Sequence, residues 1–99
     1  MAKNPSLNVV IPVYNEEKEL EESVETLHRF LSRELTDFDW KITVVDNASR
    51  DKTFTLAKTL AAHFDHVVAM HLDQKGRGRA VKHAWRHEPT DLNAYMDVD

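Results

Sequence analysis

The sequence predicts an α/β fold in which helices cover both faces of a parallel sheet. Apolar strand segments alternate with amphipathic helical segments along the chain, a pattern typical of parallel sheets that are buried on both sides. The 99 residues also suffice for one domain with a modest hydrophobic core. Because right-handed crossovers place the carboxyl ends of such strands at one edge of the sheet, we expect ligands to bind there.

Four segments have the composition of strands. Residues 7–13 form a β-branched run interrupted by Asn8 and Pro12. Pro12 cannot donate a hydrogen bond to a neighbouring strand, so we expect it near the end of the first strand. The remaining predicted strands are residues 40–45, residues 67–72, and a fourth that begins at 94–96 and runs into 97–99.

Three helices are predicted between these strands. Asn15 is expected to cap the first, whose apolar stripe is Leu20, Val24, Leu27 and Leu31. A polar turn over 47–51 precedes the second helix, with Ser49 or Asp51 as its cap. A third, short helix starts at about Arg79 and ends before Pro89. The predicted order is therefore β-α-β-α-β-α-β.

Composition excludes several classes of protein. The chain has no cysteine, which excludes disulfide scaffolds, cysteine zinc sites and thiol catalysis. The 41% hydrophobic and 30% charged residues are typical of a soluble globular domain. No apolar stretch approaches the roughly 20 residues of a membrane helix. Residues 1–7 lack the apolar core of a signal peptide, so a cytoplasmic location is predicted.

Acidic residues at two predicted strand ends are the sharpest candidates for a binding site. Asp97 and Asp99 could approach one divalent cation, since Mg²⁺ takes one or two carboxylates plus substrate phosphates. A solvated turn is the alternative interpretation. The Asp46 carboxylate could accept a hydrogen bond from a base N–H or a ribose hydroxyl, or could belong to a turn or a helix cap. Asn47 and Ser49 are interpreted as turn-forming residues.

A basic, glycine-bearing loop occupies residues 75–79 (KGRGR). Its backbone N–H groups and cationic side chains could hold an anion at the start of the third helix. It matches neither the P-loop pattern nor the dinucleotide-binding pattern, which needs a small residue where Val81 stands. A solvated loop and a nucleic-acid-binding patch over residues 75–86 are the alternatives. All six histidines are interpreted as surface or capping residues.

Taken together, four segments resemble glycosyltransferase family 2 enzymes with the GT-A fold. The matching segments are residues 9–17 (VVIPVYNEE), 44–53 (VVDNASRDKT), 75–78 (KGRG) and 95–99 (YMDVD). They stand in the family's order, and the resemblance as a whole extends over almost the entire chain. Within the family, the chain is most similar to the branch that makes polyprenyl-phosphate sugars, such as dolichyl-phosphate mannose or glucose synthases. The resemblance thus implies a partial GT-A, Rossmann-like three-layer fold.

The resemblance also implies roles for individual residues. Asp46 would bind the base or ribose, Gly76 would border the diphosphate, and Asp97 and Asp99 would place Mg²⁺ or Mn²⁺ on it. The implied nucleotide-sugar-binding residues are Pro12, Tyr14, Glu16, Val44, Asp46, Gly76 and Asp97, and the implied metal ligands are Asp97 and Asp99. Asn47 departs from the family pattern, in which many members carry a second aspartate at this position.

The resemblance implies an enzyme that transfers a sugar, with inversion, from a nucleoside-diphosphate sugar to an acceptor. Polyprenyl phosphate is a candidate for this acceptor, and the implied process is cell-envelope biosynthesis. We expect residues 1–99 to be the N-terminal, donor-binding part of a longer enzyme at the cytoplasmic face of the membrane. Such a part would contain no catalytic residue, bind nucleotide weakly and transfer nothing. It would also leave one sheet edge exposed, through which two copies could pair.

Two other functional hypotheses remain open at the level of sequence. One is a non-catalytic α/β binding module whose acidic strand ends are only structural. The other is a nucleic-acid binder that uses the basic patch of residues 75–86. Metal-dependent binding of a nucleoside diphosphate would favour the enzyme over both, and salt-sensitive, metal-independent binding of oligonucleotides would favour the last.

Overall fold

The computed structural model describes residues 4–74, 76–87 and 89–98. These residues form four strands and three helices in the predicted alternating order. The elements are β1 (Ser6–Val13), α1 (Leu20–Glu34), β2 (Asp39–Asn47), α2 (Thr53–His63), β3 (Val67–Leu72), α3 (Arg77–His87) and β4 (Leu92–Tyr95).

The four strands form one parallel sheet in the order β3-β2-β1-β4. The register places Val13 opposite Asp46, and Asp46 opposite His71. On the other side of β1, Tyr95 pairs with Val10, and the Met96 N–H donates to the Val10 carbonyl oxygen at 3.0 Å. The carboxyl ends of all four strands therefore lie at the same edge, as the sequence predicts.

Side chains from β1 and β2 alternate between two hydrophobic layers. One layer packs the sheet against α1 and α2, and its buried residues are Val9, Ile11, Val13, Leu20, Val24, Leu31, Trp40, Ile42, Val44, Ala57, Leu60 and Val67. The other packs the sheet against α3 through Val10, Val45, Ala80, Val81 and Ala84. Burial of these apolar surfaces drives the assembly. The predicted three-layer arrangement is confirmed.

The first helix begins later than predicted, and Asn15 does not cap it. The segment after β1 makes a turn in which the Leu20 N–H donates to the Glu16 carbonyl oxygen at 3.0 Å. Residue Glu19 precedes the helix without a side-chain capping bond. Asn15 instead has a φ of 51°, in the left-handed region, and directs its hydrogen bonds to the loop after β2.

Several other boundaries also differ from the prediction by a few residues. Lys52 occupies the cap position of α2 without a side-chain capping bond, so neither of the predicted caps, Ser49 or Asp51, stands there. Asp51, one residue earlier, still accepts a hydrogen bond from the Thr53 N–H at 2.9 Å. Helix α3 starts at Arg77 rather than Arg79. Strand β4 ends at Tyr95, before the acidic motif.

Strand β4 is an outer strand of the sheet, and all four of its residues are exposed. Pairing of two copies through a sheet edge remains a prediction. Within the described ranges, no helix combines the length and the apolar character that crossing a membrane requires.

Candidate functional site at the carboxyl edge of the sheet

The predicted site residues are distributed along the carboxyl edge and the strands that lead to it. Pro12 and Val44 are buried within β1 and β2, and Tyr14 and Glu16 are half-buried in the loop after β1. Asp46 is the penultimate residue of β2 and is fully buried. The other candidates are Gly76 just before α3, Asp97 two residues beyond β4, and Asp99, which lies outside the described residues together with Lys75.

Hydrogen bonds join the loop after β1 to the loop after β2. The Asn15 N–H donates to Ser49 Oγ at 2.9 Å, while Asn15 Oδ1 accepts from the N–H of Arg50 at 2.8 Å. The next residue, Glu16, donates its N–H to Thr53 Oγ1 at 2.8 Å. These loops follow neighbouring parallel strands, so the bonds build one continuous rim beside the strand ends. Ser49 therefore shapes the turn, as predicted.

Asp46 is the most deeply buried carboxylate at this rim, with an exposed fraction of 0%. His71 Nδ1 donates to Asp46 Oδ2 at 2.7 Å, and His71 Nε2 lies 2.9 Å from Asp73 Oδ1. Asp46 Oδ1 is shielded from water and has no hydrogen-bond partner among the residues that the structure describes. Burying an acceptor without a donor costs free energy, which makes this atom a candidate for binding a donor on a ligand.

His71 is exposed, as the sequence interpretation expects, but its contacts go beyond those of a simple surface residue. The imidazole is partly exposed but bridges two carboxylates, and its hydrogen bond with Asp46 raises its pKa above the ordinary value of 6.5. Burial opposes that rise, and the bond with Asp73 adds to it. The sequence carried no sufficient signal for this contact, because it depends on the register that pairs Asp46 of β2 with His71 of β3, on the face that includes Val67.

Negative charge accumulates where the loop after β1 faces the segment beyond β4. Burial raises the pKa of Glu16, and the negative charges of Glu19, Asp97 and Asp51 raise it further, against a hydrogen bond from the Tyr14 N–H to Glu16 Oε1. Asp97 also borders a cavity of about 420 Å³ beside α1, lined by Leu27, Phe30 and Met96 among others. Such a concentration of carboxylates attracts a cation.

Asp46 lies near the end of β2 and Asp97 lies beyond β4, on opposite sides of β1, so they flank the loop that carries Tyr14 and Glu16. The described residues contain no group of three or more histidine, cysteine or acidic side chains that could hold a metal ion by themselves. Mg²⁺ in proteins commonly takes part of its coordination from phosphate oxygens of a ligand.

The basic loop lies at the same edge, between β3 and α3. Gly76 has a φ of 146°, a conformation that favours glycine, and its carbonyl oxygen accepts the Ala80 N–H at 2.9 Å as α3 begins. Cationic side chains continue along α3, where Arg79, Lys82 and Arg86 border an open cavity of about 510 Å³. The described cationic side chains therefore follow α3 from its start near the carboxyl edge.

Comparison with known proteins identifies the family. The family model described as "Glycosyl transferase family 2" matches residues 8–99. A dolichyl-phosphate beta-glucosyltransferase from Trichomonas vaginalis is 33% identical over 94% of this chain and 30% of its own length. A dolichol-phosphate mannosyltransferase from Pyrococcus furiosus is 31% identical over 94% of this chain and 25% of its own length. The chain thus spans less than a third of these relatives.

A solved structure shows the same fold. The mannosyltransferase from Pyrobaculum calidifontis, determined in complex with GDP-Man and Mn²⁺, superposes with a TM-score of 0.80 at 23% identity. The match covers 95% of this chain and 27% of that one. The predicted GT-A architecture is confirmed by this likeness, and the family model covers nearly all of the sequence. The chain therefore belongs to glycosyltransferase family 2.

Proposed function

We propose that this chain binds the nucleoside-diphosphate sugar of a glycosyltransferase reaction at the carboxyl edge of its sheet. The observation that carries the proposal is Asp46, a fully buried carboxylate whose Oδ1 has no partner among the described residues. Nucleobases and ribose offer N–H and O–H donors that suit such an acceptor. Because Oδ1 is shielded from water, nucleoside binding would include a small adjustment of the loops that follow β1 and β2.

The wall of the nucleoside pocket would be formed by four residues near the ends of β1 and β2. Some would contact the nucleoside and others would support those that do: Pro12, Tyr14, Glu16 and Val44. Gly76 and the cationic side chains of α3 would border the diphosphate, since backbone N–H groups and basic residues at a helix start suit phosphate. Membership of glycosyltransferase family 2 supports this assignment, as does the Pyrobaculum relative in complex with GDP-Man.

The divalent cation would be Mg²⁺ or Mn²⁺, held by Asp97 and Asp99. The donor chemistry fits, because Asp97 supplies carboxylate oxygens beside Glu16 in a region of concentrated negative charge. The role of Asp99 rests on its spacing from Asp97 in the sequence. When bound, such a cation neutralises charge that develops on the leaving diphosphate. The Pyrobaculum relative, in complex with Mn²⁺, supports this choice of ion.

The reaction would be an inverting transfer to polyprenyl phosphate. An acceptor phosphate oxygen would form a bond to the anomeric carbon while the bond from that carbon to the diphosphate oxygen breaks, and the electron pair would leave with the nucleoside diphosphate. An anionic phosphate needs little help from a general base, so we assign no catalytic base among residues 1–99. Relatives named for dolichyl phosphate support this acceptor, which would place the reaction at the cytoplasmic membrane face.

Calorimetric titration of the chain with UDP and GDP, with and without Mn²⁺, tests the proposal. We expect one of the two nucleotides to bind in a Mn²⁺-dependent manner. Asp46→Ala should weaken this binding at least about tenfold, the usual scale for a hydrogen bond to a charged group. Asp97→Ala should remove the Mn²⁺ dependence, and Asp97 is exposed, so this variant should still fold.

Asp37→Asn is the matched control, since Asp37 is exposed and lies before β2, at the opposite edge of the sheet. This variant should bind as the unmodified chain does. Absence of nucleotide binding, or binding that is indifferent to both Asp46→Ala and Asp97→Ala, would contradict the proposal. Salt-sensitive binding of oligonucleotides without metal would favour the nucleic-acid hypothesis instead.

A further inference from the structure

His71 occupies a bridging position that the proposed nucleotide site does not by itself explain. Its Nδ1 contacts Asp46 Oδ2 at 2.7 Å and its Nε2 contacts Asp73 Oδ1 at 2.9 Å, so both ring nitrogens are engaged. The ring also packs on Phe54 of α2, with the centroids 4.9 Å apart and the planes tilted by 35°. The imidazole is therefore held on three sides, by β2, by the turn after β3 and by α2.

We infer that His71 is a positioning residue for nucleotide binding: it holds Asp46 through Oδ2 and thereby leaves Oδ1 as the atom that accepts a donor from the nucleoside. This inference rests on the proposed function. Without a partner on Oδ2, the carboxylate could rotate about its last bond and present either oxygen, or neither, to the ligand. A fixed carboxylate avoids that loss of freedom at the moment of binding.

The charge state of His71 decides how firmly this bridge holds. An imidazolium donates from both nitrogens, whereas a neutral imidazole can donate from only one. The facing charged groups are Asp46 on β2 and Asp73 after β3, and α2 contributes Lys58, whose Nζ lies 4.9 Å from the centroid of the Phe54 ring. The two carboxylates raise the pKa of His71, which favours the doubly donating form.

The pH dependence of nucleotide affinity follows from this difference. Below the raised pKa of His71, both bonds form and Asp46 is fixed. As the pH rises through that pKa, the imidazole loses one of its two N–H donors. It can then donate a hydrogen bond to only one of the two carboxylates, Asp46 or Asp73. We expect affinity to be highest on the acidic side of the His71 titration and to fall as the pH increases.

Three variants separate positioning from simple packing. His71→Phe keeps a ring against Phe54 but donates nothing to Asp46, and we expect nucleotide affinity to fall about tenfold. His71→Asn offers an amide N–H near the place of Nδ1, so it should recover affinity relative to His71→Phe while losing the pH dependence. His63→Asn is the control, because His63 is an exposed histidine at the end of α2, and its behaviour should match the unmodified chain.

The measurement is calorimetric titration with the tighter-binding of UDP and GDP, in the presence of Mn²⁺, between pH 6 and pH 9. Imidazole ¹⁵N chemical shifts give the titration of His71 in the same samples, independently of binding. Equal affinity of His71→Phe and the unmodified chain, or a pH profile that does not follow the His71 titration, would overturn the inference while the proposed function stands. If the unmodified chain bound neither nucleotide, both this inference and the proposed function would be overturned.

Thermal unfolding of each variant shows whether it is folded at the temperature of the titration. If His71→Phe does not fold, the comparison between the unmodified chain and His71→Asn still decides the matter. The inference requires a pH-dependent affinity in the first and a flat profile in the second. Identical profiles in these two proteins would overturn it.

Discussion

Asn15 Oδ1 accepts a hydrogen bond from the backbone N–H of Arg50 at 2.8 Å, across 35 residues of sequence. The bond joins the loops that follow β1 and β2, the two central strands of the sheet. Asn15 has a φ of 51°, a conformation that asparagine tolerates better than most residues. One side chain therefore serves both the backbone turn and the contact between the loops at the proposed nucleotide site.

Substitutions at Asn15 should separate these two contributions to stability. Asn15→Asp keeps an acceptor oxygen and tolerates the same φ, so its free energy of unfolding should be close to that of the unmodified chain. Asn15→Gly keeps the turn but loses the side-chain bonds, at about 1 kcal/mol. Asn15→Ala also meets the left-handed conformation with a Cβ, which costs a further ~1 kcal/mol. Urea unfolding measures this order, and equal stability of the three variants would contradict it.

The raised pKa of Glu16 leads to a prediction about how the charge of this residue affects the stability of the chain. Its raised pKa means that the folded chain binds the Glu16 proton more tightly than the unfolded chain, whose ordinary value is 4.5. The stability gained by protonation is fully present below pH 4.5 and is lost as the pH rises through the folded pKa. Glu16→Gln keeps the acceptor for the Tyr14 N–H and removes the charge, so it should be more stable than the unmodified chain at pH 7.

The advantage of Glu16→Gln should shrink as the pH falls through the raised pKa of Glu16 and should be smallest well below pH 4.5, where the unmodified residue is neutral in both the folded and the unfolded chain. Urea unfolding at several pH values, in buffer with a chelator, measures the difference. Glu21→Gln is the control: this exposed glutamate lies in the first turn of α1, where a negative charge is favourable, so no gain is expected. A gain for Glu21→Gln equal to that for Glu16→Gln would show that net charge, rather than the local site, is responsible.

A buried polar pair links β1 to β2 on the face covered by α3. Thr43 Oγ1 donates to Asn8 Oδ1 at 2.7 Å, and both side chains are fully buried. Thr43→Val leaves the Asn8 carbonyl without this donor, and we expect a loss of about 1–3 kcal/mol. Asn8→Leu combined with Thr43→Val removes both polar groups and should recover part of that loss. If the double variant lost more free energy of unfolding than the two single variants together, this account would be contradicted.

Elements with a clear hydrophobic period were predictable from sequence. The bounds of β3, residues 67–72, agree with the prediction, and the stripe of α1 contains the buried Leu20, Val24 and Leu31. In these segments, burial of the apolar face and the local pattern favour the same structure. The parallel order followed from the alternation of strands and helices, and with it the edge at which Asp46 and Asp97 would lie.

The role of Asn15 was not predictable in the same way. Asparagine is a good helix cap and also a good residue for a left-handed turn, so its local preference allows both. Its partners, Ser49 and Arg50, belong to another loop, and only the pairing of β1 with β2 brings them within reach. The first helix consequently begins at Leu20, five residues beyond the expected cap.

The contact between His71 and Asp46 was not predicted, because a single histidine in a strand carries little information about its partner. Its contact with Asp46 depends on the register between β2 and β3, which pairs these two residues directly. Sequence spacing gives no access to that register before the topology is known. The buried polar pair of Asn8 and Thr43 was hidden for a similar reason, since the two residues belong to different strands and meet only diagonally across the ladder.

The central claim is that a nucleoside diphosphate and a divalent cation bind together at the carboxyl edge of the sheet. Amide NMR spectra of the ¹⁵N-labelled chain, recorded with trace Mn²⁺ and then with UDP or GDP added, test it most directly because Mn²⁺ broadens nearby signals. We predict nucleotide-dependent broadening of Tyr14, Glu16 and Asp97, while Ser6 at the opposite edge stays sharp. Broadening confined to His83 and His87 on α3, unaffected by nucleotide, would contradict the account.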